Sequence, residues 1–372
     1  MSHEIGLLDK VVTAMGDSRA WHNLDTQFDF TIMDRRQIAE VMNLLHSMEV
    51  SQLSRSDSGE LIKDLYGVFS GLTGECINQI SEPERLVQPQ GFMNWALDTV
   101  DMLNARVVSG GTLKNTRHAF ICAELPDALI DLGGGDTIKK FMFFGISWDG
   151  SYPIVCMLND IRTVCWNTTP SLEAIDKARD NRIFYQKRHG TLGYSESVHC
   201  AKQVQQLGEE RRKKAQAVLN KLTTTKFDLA SPVDLNRFAA IMAEGGKVLD
   251  RILDISSFDQ GASLLDKCIN ATIDSQAWTA VKTTQLNNIA GRIVLETING
   301  LGSDLPSASG TLWGMLNGYT TWADHHSGRG EGADERRTEN VIFGGYTKEK
   351  QNAMLLLSAI ANTGNSDTIQ VN

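Results

Sequence analysis

Between residues 105 and 167 the chain is written as strands. ARVVSGGTLKNTRHAFICAEL and KKFMFFGISWDGSYPIVCMLNDIRTVCWNTT set β-branched and aromatic runs between turn residues. Gly110-Gly111 interrupts the first segment, and Asp149-Gly150 joins one pair of runs between Trp148 and Tyr152. The pattern predicts roughly four or five mostly antiparallel strands. Helical patterns lie on both sides, so the expected class is α+β: a small antiparallel sheet flanked by N-terminal helices and followed by a long helical C-terminal half.

On the N-terminal side, DRRQIAEVMNLLHSMEV places Ile38, Val41, Met42 and Leu45 at helical spacing behind an Asp34 cap. SGELIKDLYGVFSGL does the same with Leu61, Leu65, Val68 and Phe69, and GFMNWALDTVDML supplies a third helix. After Ser171 helices are expected across SLEAIDKARDNRIFYQKR, in one long piece across SVHCAKQVQQLGEERRKKAQAVLNKL, and again where Ser231-Pro232 opens a turn. The expected organisation is a helical region over 1–100, a core of sheet and basic helices over 101–230, a helical region over 231–360 and a flexible polar tail over 361–372.

A chain of 372 residues with 41% hydrophobic composition can bury a substantial core. No run of 18 apolar residues occurs, and MSHEIGLLDK lacks the pattern of a secretory leader, so a cytoplasmic protein without membrane contact is expected. Cys76, Cys122, Cys156, Cys165, Cys200 and Cys268 contain no C-x-x-C pair, which argues against a zinc ribbon or disulfide framework. The net charge of −9 argues against a uniformly basic nucleic-acid binder. Its distribution changes that reading: residues 177–226 hold twelve Lys/Arg against four Asp/Glu, while residues 1–105 hold sixteen acids against seven Lys/Arg. A concentrated basic stretch on an acidic body is the charge pattern of a phosphate-facing surface, or of a solvated helix face.

Three segments carry candidate chemistry. In IRTVCWNTT, alternation puts Arg162 and Cys165 on opposite faces of a strand, and Asn167, Thr168 and Thr169 suit a helix cap after the strand end. In GTLWGMLNGYTTWADHHSGRG, Trp313, Leu316, Tyr319 or Thr320, and Ala323 share a helical face, with Asn317 one turn after Trp313. His325 and His326, after Asp324, diverge by about 100° on a helix, so no metal site is expected there. In QKRHGTLGY, His189 lies among Arg182, Tyr185, Lys187, Arg188 and Tyr194, cations interleaved with rings as single-strand binding uses them. Gly133-Gly134-Gly135 lacks the G-K-[ST] of a phosphate loop and reads as a link between strands. No cofactor motif and no set of catalytic residues is read.

Taken together, IRTVCWNTT, the RHG around His189 and GTLWGMLNGYTTWADHH resemble motifs of the phage/plasmid-like family of unknown function found in mobile elements. Trp166, Thr169 and Gly318 depart from that pattern. The resemblance marks Arg162, Cys165, Asn167, Thr168, His189, Gly310, Thr311, Trp313, Asn317, Asp324 and His325 as motif positions of unassigned role. It implies a mobile-element protein acting inside a bacterial cell. The order of strands then basic helices is similar in plan to single-strand annealing proteins of the RecT, Erf and Red-beta type. The expected function is single-stranded DNA binding and annealing by a homo-oligomer through a basic groove formed by Arg162, Arg182, Lys187, Arg188, His189, Arg211, Arg212, Lys213 and Lys214. The alternative is a protein that engages a phage or host protein partner, as an anti-defence or host-factor-binding protein, through its acidic surface. An enzyme using His189, or Asp324 with His325, is the weakest of the three readings.

Overall fold

The computed structural model describes residues 12–15, 28–126, 129–164, 168–169, 182–186, 188–190, 192–206, 209–227, 280–327, 349–351, 353–354, 357–358, 361 and 368–369. It is an α+β protein. Strand β1 (Val12–Met15) precedes α1 (Arg35–Val41), and a three-stranded sheet follows in β2 (Met48–Ser54), β3 (Leu61–Ser70) and β4 (Cys76–Ile80). Helix α2 (Pro89–Met102) leads into β5 (Arg106–Leu113), β6 (His118–Glu124), β7 (Ile130–Asp131), β8 (Thr137–Ser147), β9 (Ile154–Arg162), β10 (Thr168–Thr169) and β11 (Arg182–Gln186). Beyond them lie α3 (Tyr194–Gln206), α4 (Glu209–Thr224), β12 (Lys226–Phe227), α5 (Ala280–Asn299), α6 (Leu312–Thr321) and β13 (Thr368–Ile369), which pairs in parallel with β12.

The large sheet runs β1-β5-β6-β8-β9-β10, with β11 also on β9 and β7 on β8, every pair antiparallel. Helix α2 covers one face, where Trp95 meets the Phe144 ring edge-on at 5.1 Å above Ile121, Met142 and Leu158. The opposite positions, Phe120, Phe141, Phe143, Val155 and Met157, are buried as well. A sheet covered on both sides selects continuous apolar strands, which is why FMFFGIS and IVCML stand out in the sequence. Each large side chain so buried stabilises the fold by about 1.5–3 kcal/mol.

Several local expectations are corrected. Residues 61–70 form β3, not a helix: their apolar positions fit both periods, and the register is set instead by pairing with β2 and β4 and by a bulge at left-handed Asp64, φ 54°. The helix expected over 34–50 has its Asp34 capping box but ends at Val41, and Met48 already belongs to β2. The described residues of 1–100 therefore hold the strands β1 to β4 beside α1 and most of α2, in place of a helical region. Gly110-Gly111 is no turn: both residues lie inside β5, and the Met42 sulfur sits 2.5 Å from where a Gly110 Cβ would stand. The reversal falls on left-handed Lys114, Asn115 and Thr116 instead. Residues 182–186 form a strand where a helix was expected, and the long helix after it is two, α3 and α4. Thr168 and Thr169 form β10 and pair with Ile161 and Asp160, and the helix expected to follow them lies outside the described residues up to Asn181. The helix expected at Ser231-Pro232 lies outside the described residues.

Candidate nucleic-acid interface

The motif residues divide into a buried group and an open one. Arg162, at the end of β9, has 1% of its side chain exposed and cannot touch a nucleic acid, which corrects its assignment to the groove. Its guanidinium grips Asp136 with two parallel bonds, Nε to Oδ1 at 2.7 Å and an Nη to Oδ2 at 2.8 Å, and donates to the carbonyl of Gly302 at 2.9 Å. Asp136 also accepts from the Ser307 hydroxyl and from the Trp313 indole N–H at 3.0 Å. The Trp313 ring lies 5.9 Å below the Arg162 cation. The glycine triplet aims this carboxylate: Gly133, Gly134 and Gly135 all take positive φ, closing the β7–β8 turn on Asp136.

Helix α6 is then built around the same node. Thr311 caps it by accepting from the Gly314 N–H at 3.1 Å, and the Asn317 amide donates to the Trp313 carbonyl at 2.8 Å. The chain continues through one π-helical turn, Trp322–His326, in which buried Asp324 pairs with buried Lys350 and His325 is half-buried. Trp313 thus ties α6 to the β7–β8 turn, while Thr311 and Asn317 bond within the start and body of α6 and Asp324 joins the π-helical turn to Lys350. Cys165 and Asn167 lie outside the described residues, as do the side chains of Thr168, Arg182, Arg211, Arg212, Lys213 and Lys214 and the whole of Lys187. The backbone of Arg211 to Lys214 runs along α4, which packs against α6.

The open group surrounds His189 and Arg188. Strand β11 pairs with β9 at the sheet margin, and the segment after it crosses the entry to α2. There a groove of about 710 Å³ is lined by Glu84, Arg85, Gln88, Gln186, Arg188 and Gly190, among others. Arg188 is exposed and takes part in none of the ion pairs found among the described residues. Arg85 is held by Glu82 at 2.9 Å. Gln88 is the N-cap of α2, but its side chain serves Met48 N–H and C=O at 2.8 and 3.0 Å, so no side chain caps the helix. The first turn of α2 thus keeps its partial positive charge without a side-chain cap, at the helix end that places Gln88 and Gly91 in the groove lining. Tyr185 and Tyr194 are 48% and 69% exposed on either side of the segment.

His189 itself forms the floor. Its Nδ1 accepts from the Val87 N–H at 3.1 Å and its Nε2 N–H donates to the Ser147 carbonyl at 2.9 Å. Burial lowers the ring's pKa from 6.5, against the pull of the Ser147 carbonyl. With both ring nitrogens engaged by the backbone, His189 lines the groove without a free nitrogen to offer a phosphate or a reacting group.

Sequence reasoning missed one polar cluster. His118, fully buried on β6, meets Asp149 through Nε2 at 2.9 Å, and Ser151 approaches the same nitrogen at 2.8 Å while donating to Asp149 at 2.6 Å. Burial pushes the Asp149 carboxyl up, but the bonds from His118 and Ser151 outweigh it and hold the group well below the usual carboxylate range. Serine and aspartate share one ring nitrogen, so no relay runs across the imidazole as in a hydrolase triad. The cluster closes the β8–β9 turn. Its signal in the sequence was the Asp149-Gly150 turn opposite a histidine that faces Ser147 across the strands.

No group of His, Cys, Asp and Glu suited to a metal ion occurs among the described residues, and no helix among them is long and apolar enough to cross a membrane. Neither the curated proteins nor the solved structures contain a match to this chain. A family model does match, over residues 84–355, and so takes in the groove, the whole run from α2 to β11 and the Arg162 node. The chain belongs to that family, the Domain of unknown function (DUF932).

Proposed function

We propose that this protein binds single-stranded nucleic acid along the segment from Arg182 to Tyr194, without catalysing a reaction. The observation that carries the reading is the groove lined by exposed Arg188, which joins no ion pair found among the described residues, on a segment that carries exposed Tyr185 and Tyr194 nearby in the chain. Cations hold a phosphate backbone while aromatic faces stack on bases, and neither contact requires a particular sequence. The basic stretch 177–226, with twelve Lys/Arg against four acids, extends that positive field along the chain. On this reading the protein serves annealing in a phage or other mobile element, as an oligomer in the cytoplasm of a bacterial host, with DNA as the first substrate to try. The test is fluorescence-anisotropy titration with labelled single-stranded and duplex oligonucleotides over a salt series.

A second reading has its own observation. Leu61, 60% exposed, lies at the start of β3 next to acidic Glu60 and close in the chain to Asp57. Such a surface suits a basic, apolar segment of a phage or host protein partner. Failure of folded protein to bind any oligonucleotide at low salt would favour it.

A further inference from the structure

One imidazole joins three separate segments of the chain, two of which line the groove. Val87 lies between the short helical turn Pro83–Arg85 and α2, Ser147 ends β8, and His189 belongs to the segment that carries Arg188. The ring bonds both neighbours, and the Val87 peptide is gripped again from its carbonyl side by the Trp148 indole N–H at 2.7 Å. Gly190 follows, with the side-chain amide of Gln186 folded over it: a Cβ there would stand 2.5 Å from Gln186 Nε2, at the movable end of that side chain.

The bond pattern requires the neutral ring with its proton on Nε2. A second proton would fall on Nδ1 and face the Val87 N–H, replacing a hydrogen bond with two opposed donors. We infer that His189 is a positioning residue, a latch whose neutral ring pins the Arg188 segment against the entry of α2 and whose protonation frees it. This rests on the groove being the ligand site proposed above. A consequence is that an anionic strand held at Arg188 dissociates more readily in mildly acidic solution, even though acid adds positive charge to the protein. Other charged groups surround the ring: Glu84, Arg85 and Arg188 line the groove, the His118–Asp149 pair lies beyond Ser147, and His46 stands edge-on to Trp148 at 6.3 Å. His46 and His118 are also imidazoles, so pH alone does not isolate the latch.

The test compares full-length wild type, His189→Gln and His189→Ala between about pH 8 and about pH 5. Glutamine keeps one acceptor and one donor but does not titrate. Hydrogen exchange at Val87, corrected for its intrinsic pH dependence, reads the latch without ligand, and anisotropy of a fluorescein-labelled oligothymidylate reads binding. In wild type, Val87 exchange is expected to rise roughly tenfold as the ring titrates, with a parallel loss of affinity. His189→Gln should stay protected and keep its affinity throughout, whereas His189→Ala should exchange fast at every pH. Flat Val87 exchange in wild type, or a wild-type pH response surviving in His189→Gln, overturns the latch even if the oligonucleotide binds. A titrating Val87 with no oligonucleotide binding at any pH upholds the latch and overturns the nucleic-acid reading.

Discussion

Arg162 and Arg188 are the same side chain in opposite settings. One is enclosed by Asp136, Ser307 and Trp313 where the sheet meets the C-terminal helices; the other stands in solvent at a groove, outside every ion pair found among the described residues. A buried guanidinium is sustained by its partners and serves architecture. An exposed one costs little to leave unpaired and is available to a phosphate. Charge counted along a sequence cannot separate the two, because burial decides which role a cation takes.

The contrast can be broken most forcefully at the buried end. Arg162→Ala leaves Asp136 buried without its counter-charge and is expected to cost about 3–5 kcal/mol in urea unfolding. An Arg162→Met/Asp136→Leu double variant should lose less than either single change, and a strictly additive result would refute the paired-burial account. Trp313→Phe removes one N–H bond to the carboxylate and should cost about 1–3 kcal/mol by the same measurement.

The pH dependence of stability sharpens the comparison. Asp149 has a depressed folded pKa, so its contribution is full above the unfolded value of 3.8 and is lost as pH falls toward the folded value; Asp149→Asn should flatten that acid limb. His46 and His189, lowered by burial, contribute fully above 6.5 and lose that contribution as pH falls toward their folded values. Smallest in stability is Arg188→Glu, expected to shift unfolding by no more than about 0.5 kcal/mol.

The central strands were legible because both faces of β8 and β9 are buried and their residues leave no competing period. The helix of residues 89–102 was legible from its apolar stripe, and α6 from the helical spacing of Trp313, Leu316 and Tyr319. Strand β3 was not, since a short apolar run with one exposed side fits a helix and a bulged strand equally well. The site was legible only as composition. The sequence placed Arg188 and the tyrosines together, but could not show that His189 spends both ring nitrogens on the backbone or that Arg162 faces a carboxylate 26 positions away in the chain. Those facts depend on contacts between distant segments, which no local pattern encodes.

The most direct measurement is anisotropy of a labelled single-stranded oligonucleotide titrated with wild type and Arg188→Glu over a salt series, both checked for unchanged folding. The account predicts preference for the single strand over duplex, affinity that falls steeply with salt, and weaker binding in Arg188→Glu with a salt slope smaller by about one phosphate contact. Binding that is absent at low salt, or identical in the two proteins, would contradict it.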